Sequence, residues 1–509
     1  MPQDGTGTRV RPRSVCLVAN DLEPTDARRL LEQGTAVHVL YCGPGRAAAI
    51  AASARRFRER GMSFSTPESG DAIASLRVRN VVDSCHADRS DAIRHALERL
   101  HAERRFDAIE FPAAGGFGFR TVQAKRAGLG FGDVCLTVRL DACNAWNRDR
   151  ECRWPSGPEE LELDFAERYA FEQADVQTIP NPAMREYVRR IGWADREAVL
   201  PADPDTGDAR PLVTVAVPHY NLGRYLPETL ASLAAQTYPN LEVVVIDDGS
   251  TDQSSLDIFG QMQSLYPQFR FFHQTNAGIG ATRNRGLRAA NGEYFIPVDA
   301  DNVARPDMVE RFVAGMRRNP GLGAMTCYFL AFKDGVSLAS GPYLYAHRPT
   351  GGPHALSCIR NVYGDGNAIF RTAVFRVVGG YETDRDASFE DWEAFVKLVH
   401  AGHGVGVIPD YLFYYRYRDA GFSRVTDDYR NRQRVLRQFM QLDRLPPAER
   451  AVLWNAMFGF HRRADQLREL MRYRLADRLH TLCARTPFVT RGLKWLVRMG
   501  LHFPGFSRD

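Results

Sequence analysis

The sequence predicts an α/β protein with two successive sheet domains and a helical C-terminal region. Two stretches alternate short apolar segments with charged helical ones, which is the pattern of a parallel sheet covered by helices. The first stretch begins with SVCLVAN, DARRLLEQG and TAVHVLYCG, and the second with LVTVAVPHYN, LPETLASLAAQTYPN and LEVVVIDDGS. The length of 509 residues supports more than one domain, because a single hydrophobic core rarely organises so long a chain.

The predicted domain boundaries lie where the apolar periodicity stops. Residues 12–200 are expected to form a Rossmann-like domain, which continues through FDAIEFP, the glycine-rich AAGGFGFR and DVCLTVRL. Residues 201–210, PADPDTGDAR, combine proline, glycine and acidic side chains without apolar periodicity, and they are predicted to be a linker. Residues 211–425 are expected to form the second α/β domain, and residues 426–509 a helical region.

Composition is that of an ordinary globular enzyme. Hydrophobic residues make up 44% and charged residues 25% of the chain, which argues against disorder. The formal net charge of +5 is small and the arginines are scattered, so nucleic acid is not an expected partner. The 9 cysteines contain no Cys-x-x-Cys pair and are interpreted as reduced thiols. Without an apolar signal core or a run of roughly 18 apolar residues, the predicted location is cytoplasmic.

Two polar strand ends in the second domain suggest a nucleotide site. Tyr220 and Asn221 follow the segment VAVPH, and Asp247 and Asp248 end the segment VVVIDD. Ligands of open parallel sheets bind beyond the carboxyl ends of the strands, where a ring can stack on a base and a carboxylate can accept from base or ribose. The alternative is a rim aromatic and a capping turn. Repetition at successive strand ends favours the nucleotide site.

A pair of carboxylates at the next strand end suggests a metal site. Asp299 and Asp301 end the segment NGEYFIPVDADN, and hard oxygen ligands at this spacing can hold Mg²⁺ or Mn²⁺ on donor phosphates. The preceding helix GATRNRGLRAANG carries Arg283 and Arg285, which suit a diphosphate or a base. The alternatives are a solvated turn for the carboxylates and a solvated helix face for the arginines.

An acidic cluster surrounds a tryptophan in the segment SFEDWEAF. It contains Glu390, Asp391 and Glu393 around Trp392. A carboxylate beside an aromatic ring is placed to act as general base for a sugar hydroxyl, while the ring offers a platform for the sugar. The alternative is a helix N-terminus enriched in acidic residues.

Six ordered motifs of the second domain resemble the signature of the family 2 glycosyltransferases of the GT-A fold. They are VPHYN, VVVIDDGSTD, NAGIGATRNRGL, GEYFIPVDADN, DGNAIFRTAVFRVVGGY and FEDWEAF, between about residues 211 and 425. The resemblance implies a nucleotide-sugar donor, with a UDP-sugar favoured, bound with Mg²⁺ or Mn²⁺, and transfer with inversion by a single displacement. The sequence departs from the family at Asn302, where a further Asp is frequent, and at Arg418, where a His is common. Arg416 and Arg418 are alternative partners for the diphosphate.

The resemblance also implies a role for each matching residue. Asp391 is the implied catalytic base, and the implied donor-binding residues are Pro218, Tyr220, Asn221, Asp248, Arg283 and Asp299. The implied acceptor-binding residues are Gly366, Asn367, Glu390 and Trp392, and the implied metal ligands are Asp301 and Asp299. The implied acceptor is a hydroxyl of a surface polysaccharide, a lipid-linked glycan or a glycoprotein.

Two other function classes are weighed against a transferase. A non-catalytic carbohydrate-binding scaffold is disfavoured by the complete acidic set at Asp248, Asp299, Asp301 and Asp391. A nucleotidyltransferase is disfavoured because VPHYNLGRY is not the basic, glycine-rich loop expected after its first strand.

The first domain resembles the N-terminal lobe of the family 4 glycosyltransferases, which have the GT-B fold. The matching segments are FDAIEFPAAGGFGFRTVQAKRAGLGF, LTVRLDACNAW and DFAERYAFEQADVQTIPNPAMREYV. Because the other lobe of that fold holds the nucleotide, the resemblance implies that this domain does not itself transfer sugar. The segment GPGRAA at Gly43 fits a dinucleotide fingerprint only loosely, so no cofactor is expected there.

The tail segment 486–503 is predicted to be an amphipathic helix. The residues of its apolar face are Val489, Leu493, Leu496, Val497 and Leu501, and those of its basic face are Arg491, Lys494 and Arg498. One interpretation is peripheral contact with the anionic inner leaflet of a membrane. The other is packing against the catalytic domain.

Overall fold

The computed structural model describes residues 13–20, 25–43, 47–67, 85–196, 210–336, 338, 341–385, 388–418, 426 and 428–440. The predicted linker lies outside these ranges except for its last residue, and the amphipathic tail segment 486–503 lies outside them entirely. Both therefore stay predictions. Within the described ranges, no helix has the length and apolar character that crossing a bilayer requires.

The first sheet contains six parallel strands. They are β1 (Ser14–Ala19), β2 (Ala36–Tyr41), β3 (Ser63–Ser65), β4 (Ala108–Pro112), β5 (Cys135–Arg139) and β6 (Val176–Thr178). Their spatial order is β3-β2-β1-β4-β5-β6, and every neighbouring pair is parallel. This is the strand order of a Rossmann sheet. The likeness of this sheet to a GT-B lobe stays a prediction.

Helices connect the strands of the first sheet. They are α1 (Thr25–Glu32), α2 (Ala47–Glu59), α3 (Cys85–Arg104), α4 (Phe119–Ala127), α5 (Asn144–Arg150), α6 (Pro158–Gln173) and α7 (Pro182–Arg190). Successive side chains of a strand point to opposite faces, so β1 contributes to two cores. Leu17 packs in a cluster with Val39 and Phe57, whereas Val18 packs in a cluster with Ile109.

The second sheet contains nine strands and is mixed. They are β7 (Val213–His219), β8 (Leu241–Asp247), β9 (Arg270–His273), β10 (Tyr294–Pro297), β11 (Val303–Ala304), β12 (Leu322–Lys333), β13 (Tyr343–His347), β14 (Ile369–Arg371) and β15 (Gly404–Tyr417). The order is β11-β15-β12-β14-β10-β7-β8-β9, with β13 paired to β12. The predicted α/β class is confirmed.

The helices of the second sheet domain, called here the second part, surround its core. They are α8 (Leu226–Ala234), α9 (Gln253–Leu265), α10 (Ile279–Ala289), α11 (Met308–Arg318), α12 (Thr372–Val377), α13 (Glu390–His400) and α14 (Asp428–Met440), with a 3-10 helix at His354–Cys358. The remainder of the predicted helical region lies outside the described residues.

The parallel part of the second sheet places its strand ends side by side. Every residue of β7 is buried, as expected of a strand covered on both faces. β7 is flanked by β10 and β8, and its last residue His219 pairs with Asp247. The residues that follow these three strands therefore meet at one edge of the sheet. The two sheets lie in one compact unit that ends at Gln438.

Candidate active site

A cavity of about 1040 Å³ lies at the edge where β7, β8 and β10 end. Most of the residues predicted from the sequence line it, namely Pro218, Tyr220, Asn221, Asp248, Arg283, Asp299, Asp301, Gly366, Glu390, Asp391 and Trp392. Asn367 does not line the cavity and lies buried behind it. Its Oδ1 accepts from the backbone N–H of Asp299 at 3.0 Å, so its role in the structure is to hold that strand end.

Tyr220 presents an accessible ring at one end of the cavity. The residue is 44% exposed, which leaves an aromatic face for stacking. The next residue, Asn221, has a φ of 52°, a conformation that asparagine adopts more readily than most residues. Its Oδ1 accepts from the backbone N–H groups of Thr251 and Asp252 at 2.8 and 3.0 Å. The Asn221 side chain thus fixes the loop beside Tyr220.

Asp248 holds the loop that leads into α10. Its Oδ1 accepts from Gln274 Nε2 at 2.6 Å and from the backbone N–H of Ala277 at 2.8 Å. Its Oδ2 accepts from the backbone N–H of Gly278 at 2.9 Å. A donor from a nucleobase or ribose would therefore share a carboxylate that already accepts three hydrogen bonds.

Asp247 organises a polar cluster at the paired ends of β7, β8 and β9. Its carboxylate lies 3.1 Å from Nδ1 of His219 and 3.3 Å from Nδ1 of His273, and it accepts from Ser250 Oγ at 2.5 Å. Burial alone would raise the pKa of Asp247, but the hydrogen bonds from His219 and Ser250 outweigh burial and leave the pKa well below its usual value. The sequence analysis placed Asp247 at the strand end without this role.

Arg283 links the segment after β10 to the start of α13. It is buried, and its Nη2 lies 2.6 Å from Asp299 Oδ1 while its Nη1 lies 2.5 Å from Glu390 Oε1. Its guanidinium also lies over the ring of Tyr381 at 5.4 Å. Burial by itself would lower the pKa of Arg283. The nearby Asp299 and Glu390 outweigh burial and raise the pKa above its usual value, so the group stays charged.

Asp391 lies in the first turn of α13 and faces the cavity. Burial raises the pKa of Asp391, and the nearby Glu390 and Asp365 raise it further, while Arg283 opposes the shift. The helix begins after Phe389, whose φ of 71° is strained for a residue with a side chain. The raised pKa makes the Asp391 carboxylate a better proton acceptor than an ordinary aspartate.

Trp392 contributes little open surface to the cavity. The residue is buried, and its Nε1 donates to the carbonyl oxygen of Ser357 at 2.8 Å. Its ring also lies 5.5 Å from that of Phe389. Glu390, two positions before Trp392, is engaged by Arg283.

Asp365 is a cavity residue that the sequence analysis missed. It lines the cavity between Gly364 and Gly366, and its Oδ1 accepts from the backbone N–H and Nδ2 of Asn367 at 2.9 and 2.7 Å. Burial raises the pKa of Asp365, with a further contribution from Asp299. The available signal was its place in DGNAIF, a polar run that directly precedes the buried β14.

The pair of predicted metal ligands carries one arginine on each carboxylate. Asp299 Oδ1 is held by Arg283, and Asp301 Oδ2 lies 2.6 Å from Arg418 Nε. Arg416 donates from Nε to the backbone carbonyl of Asp301 at 3.0 Å. Burial raises the pKa of Asp301 and Arg418 opposes that shift. Among the described residues, no group of three His, Cys, Asp or Glu side chains could hold a metal ion, so a cation would need further oxygens from a ligand.

Comparison with known proteins identifies the central part of the chain. Residues 214–379 match the model of the family described as Glycosyl transferase family 2, which confirms the predicted resemblance for that segment. Asp391 lies beyond the match. The first sheet lies outside it as well.

Individual relatives match part of the chain. An uncharacterized glycosyltransferase of Haemophilus influenzae is 37% identical over 119 residues, which is 23% of this chain and 36% of that protein. Glycosyltransferase GlyG of Streptococcus pneumoniae serotype 4 is 40% identical over 100 residues, or 19% and 33%. The chain thus spans about a third of the length of these relatives. The crystal structure of S. aureus TarS 1-349 in complex with UDP-GlcNAc shares 22% identity, with 47% of this chain and 69% of that chain covered and a TM-score of 0.38.

Proposed function

We propose that the protein is an inverting glycosyltransferase that moves a sugar from a nucleoside diphosphate to an acceptor hydroxyl. The observation that carries the proposal is the meeting of Tyr220, Asp248 and Asp299 with Asp391 in one cavity. The first three lie within the segment that matches the family model, and Asp391 lies beyond it. Relatives that match part of the chain carry the name glycosyltransferase.

The donor is proposed to lie along the ends of β7, β8 and β10. The exposed ring of Tyr220 stacks on the nucleobase, and Asp248 accepts from base or ribose. The diphosphate then lies toward Asp299 and Asp301, where Arg416 and Arg418 supply positive charge. A UDP-sugar is favoured through the family resemblance.

The transfer step is a single displacement at the anomeric carbon. The acceptor oxygen attacks that carbon from the face opposite the diphosphate, and a new carbon–oxygen bond forms. The bond between the anomeric carbon and the diphosphate oxygen breaks, and its electron pair leaves with the diphosphate. The hydroxyl proton passes to the carboxylate of Asp391. The pKa of Asp391 is raised by burial and by the nearby Glu390 and Asp365, which favours proton transfer to this carboxylate.

Mg²⁺ or Mn²⁺ is the proposed cofactor, and Asp301 with Asp299 would hold it. Both carboxylates have one oxygen engaged by an arginine, which leaves at most one oxygen of each for a cation. This fits an ion that takes its remaining ligands from donor phosphates and water. When bound, the ion supplies Lewis-acid stabilisation of the charge on the leaving diphosphate.

The acceptor is proposed to enter beside Gly366 and Glu390. A Cβ on Gly366 would lie 3.3 Å from Cβ of Asp391 and from Nη2 of Arg283, so the glycine keeps the approach to the base open. We propose a hydroxyl of a surface polysaccharide, a lipid-linked glycan or a glycoprotein as the acceptor. We also propose a cytoplasmic location.

Metal-dependent release of nucleoside diphosphate is the first expected result. Purified protein with Mn²⁺ or Mg²⁺ is incubated with a panel of UDP-, dTDP- and GDP-sugars, and released diphosphate is measured. We expect release from one donor and its loss with EDTA, because the leaving diphosphate needs charge stabilisation. Silence across the panel together with no metal-dependent nucleotide binding by calorimetry would instead support a non-catalytic scaffold.

The rate of donor turnover is expected to rise with pH through the neutral range. Asp391 must be deprotonated to act as base, and its pKa is raised by burial and by neighbouring carboxylates. The acidic limb of the kcat/KM profile therefore lies above the ordinary aspartate value of about 3.9. Because the nearby Asp365 raises the pKa of Asp391, the apparent pKa of the profile belongs to these two carboxyl groups together. A rate that is already constant above about pH 5 would contradict this placement of the base.

A further inference from the structure

Helix α4 belongs to the first sheet domain and packs against the second. It touches β15 and α11 of the second part, and nearly all of its side chains are buried, including Arg120, Gln123 and Lys125. Burial of charged and polar side chains is unfavourable unless they find hydrogen-bond partners. The partners of these side chains therefore show what the helix is built to hold.

Two side chains of α4 donate to three consecutive carbonyl groups of the second part. Arg120, which is 1% exposed, donates from Nη1 to the carbonyl oxygen of Pro349 at 3.0 Å and from Nη2 to that of Arg348 at 3.5 Å. Gln123 Nε2 donates to the carbonyl oxygen of Thr350 at 3.4 Å. Gln123 Oε1 in turn accepts from Arg120 Nη1 at 2.6 Å. The backbone of residues 348–350 is thus held by a helix of the other sheet.

The same segment also reaches back toward the first sheet. Nη1 of Arg348 lies 3.6 Å from Asp91 Oδ2 on α3, and Nε of Arg348 donates to the hydroxyl of Tyr411 at 2.6 Å. A Cβ on Gly352 would lie 2.5 Å from Cε2 of Phe165 on α6, so that ring lies directly on the glycine backbone. Residues 348–352, called here the clamped segment, are fixed at both ends.

The clamped segment is continuous with one wall of the cavity. Tyr345 before it and Asn361 after it line the cavity. A Cβ on Gly364, whose φ is 127°, would lie 3.1 Å from Cγ of Pro349, so the proline ring packs against the residue next to Asp365. The hydrogen bond to the carbonyl of Pro349 therefore acts on the backbone that carries Asp365.

We propose that the first sheet is a fixed brace for the cavity wall at residues 345–366, with Arg120 as its positioning residue. The effect on catalysis rests on the proposed transferase function, whereas the brace itself does not. Asp365 and Arg283 both influence the proton affinity of Asp391, so a shift of the wall changes the surroundings of the proposed base. Misplacement by about 1 Å can reduce a rate on the order of 10²-fold.

The test compares Arg120→Met with a matched change on the same helix. Arg120→Met keeps the bulk of the side chain but removes the donors to Arg348 and Pro349. Arg126→Met removes an ion pair with Asp175 inside the first part, where Nη2 lies 2.7 Å from Oδ1, and leaves those two contacts in place. For each full-length variant we would measure hydrogen exchange of residues 345–366, UDP binding with Mn²⁺ by calorimetry, and the kcat and pH profile of donor turnover.

Arg120→Met is expected to loosen the wall without weakening the nucleotide end. Exchange in residues 345–366 should accelerate about tenfold and kcat should fall about tenfold, because the wall loses its donors. The Kd for UDP should stay within about twofold of the wild-type value, and the acidic limb of the pH profile should move. Arg120→Lys keeps a donor at this position, so it should recover part of the wild-type exchange protection and kcat. Arg126→Met should change none of these quantities in residues 345–366.

Unchanged exchange in Arg120→Met, or an equal acceleration in Arg126→Met, overturns the brace. If Arg120→Met does not fold, Gln123→Met is the second variant. It removes the donor to Thr350 and the acceptor of Arg120 Nη1 but keeps Arg120 itself. It is expected to act in the same direction, with unchanged exchange again counting against the proposal. If the wild-type protein turns over no donor, the proposed function fails, while the exchange comparison still decides whether the brace exists.

Discussion

Asp391→Asn is expected to abolish sugar transfer while leaving donor binding intact. The amide has nearly the shape of the carboxylate but cannot accept the acceptor proton, and the loss of a positioned general base reduces rates by about 10²- to 10⁴-fold. Calorimetry with UDP and Mn²⁺ measures donor binding, and released diphosphate measures turnover. The Kd for UDP should change little, because the proposed nucleotide site consists of Tyr220, Asp248 and Asp299 and does not include Asp391.

Glu393→Gln provides the matched control on the same helix. Glu393 is buried but does not line the cavity, and its Oε2 lies 2.7 Å from Nη2 of Arg434. Removal of its charge leaves Arg434 buried without its partner, so the melting temperature should fall. The kcat should be retained. Full turnover by Asp391→Asn would exclude Asp391 as the base, and equal loss in both variants would indicate damage to α13 rather than to the proton transfer.

Arg283→Met is expected to have the largest effect on stability. The substitution leaves the half-buried Asp299 and the buried Glu390 without their cation. It also removes the positive charge that opposes the raised pKa values of Asp365 and Asp391. Breaking a buried ion pair from one side costs about 3 to 5 kcal/mol. Urea unfolding measures this loss directly.

The stability defect of Arg283→Met should depend on pH. Carboxyl groups whose folded-state pKa is raised bind more protons in the folded state than in the unfolded state, so stability falls as pH rises through the folded-state pKa. The loss should therefore be larger at about pH 8 than at about pH 5. Arg285→Met is the control on α10, because Nη1 of Arg285 donates to two uncharged acceptors, the backbone carbonyl oxygen of His273 and Oε1 of Gln274. A loss that is equal at both pH values would contradict the electrostatic explanation.

Much of the cavity was predictable because the residues that line it directly follow apolar strand segments in the sequence. The apolar strands before Tyr220, Asp248 and Asp299 are local features of the sequence, and parallel strands bring their carboxyl ends to one edge of a sheet. Once β7, β8 and β10 are recognised as neighbouring strands, the proximity of Tyr220, Asp248 and Asp299 can be deduced. The order of the first sheet, by contrast, follows from long-range pairing that no local pattern specifies.

The assignment of individual roles required the contacts between distant segments. Arg283 is followed more than a hundred positions later by Glu390, and only the fold brings its guanidinium between that residue and Asp299. Asn221 and Asn367 belong to sequence motifs, and the structure shows that their amide oxygens accept from backbone N–H groups. Residue type and spacing alone do not distinguish these uses, because the same polar groups can bind ligand or backbone.

The sequence by itself determined the α/β class, the family 2 segment and the residues at the strand ends, since periodicity and short motifs are local properties. Only the tertiary structure decided that Asp365 and Asp391 line one cavity with Arg283 and that Arg418 engages Asp301. It alone shows that α4 holds the clamped segment. These arrangements depend on burial and on the direction of each side chain, and both are set by packing between segments far apart in the chain.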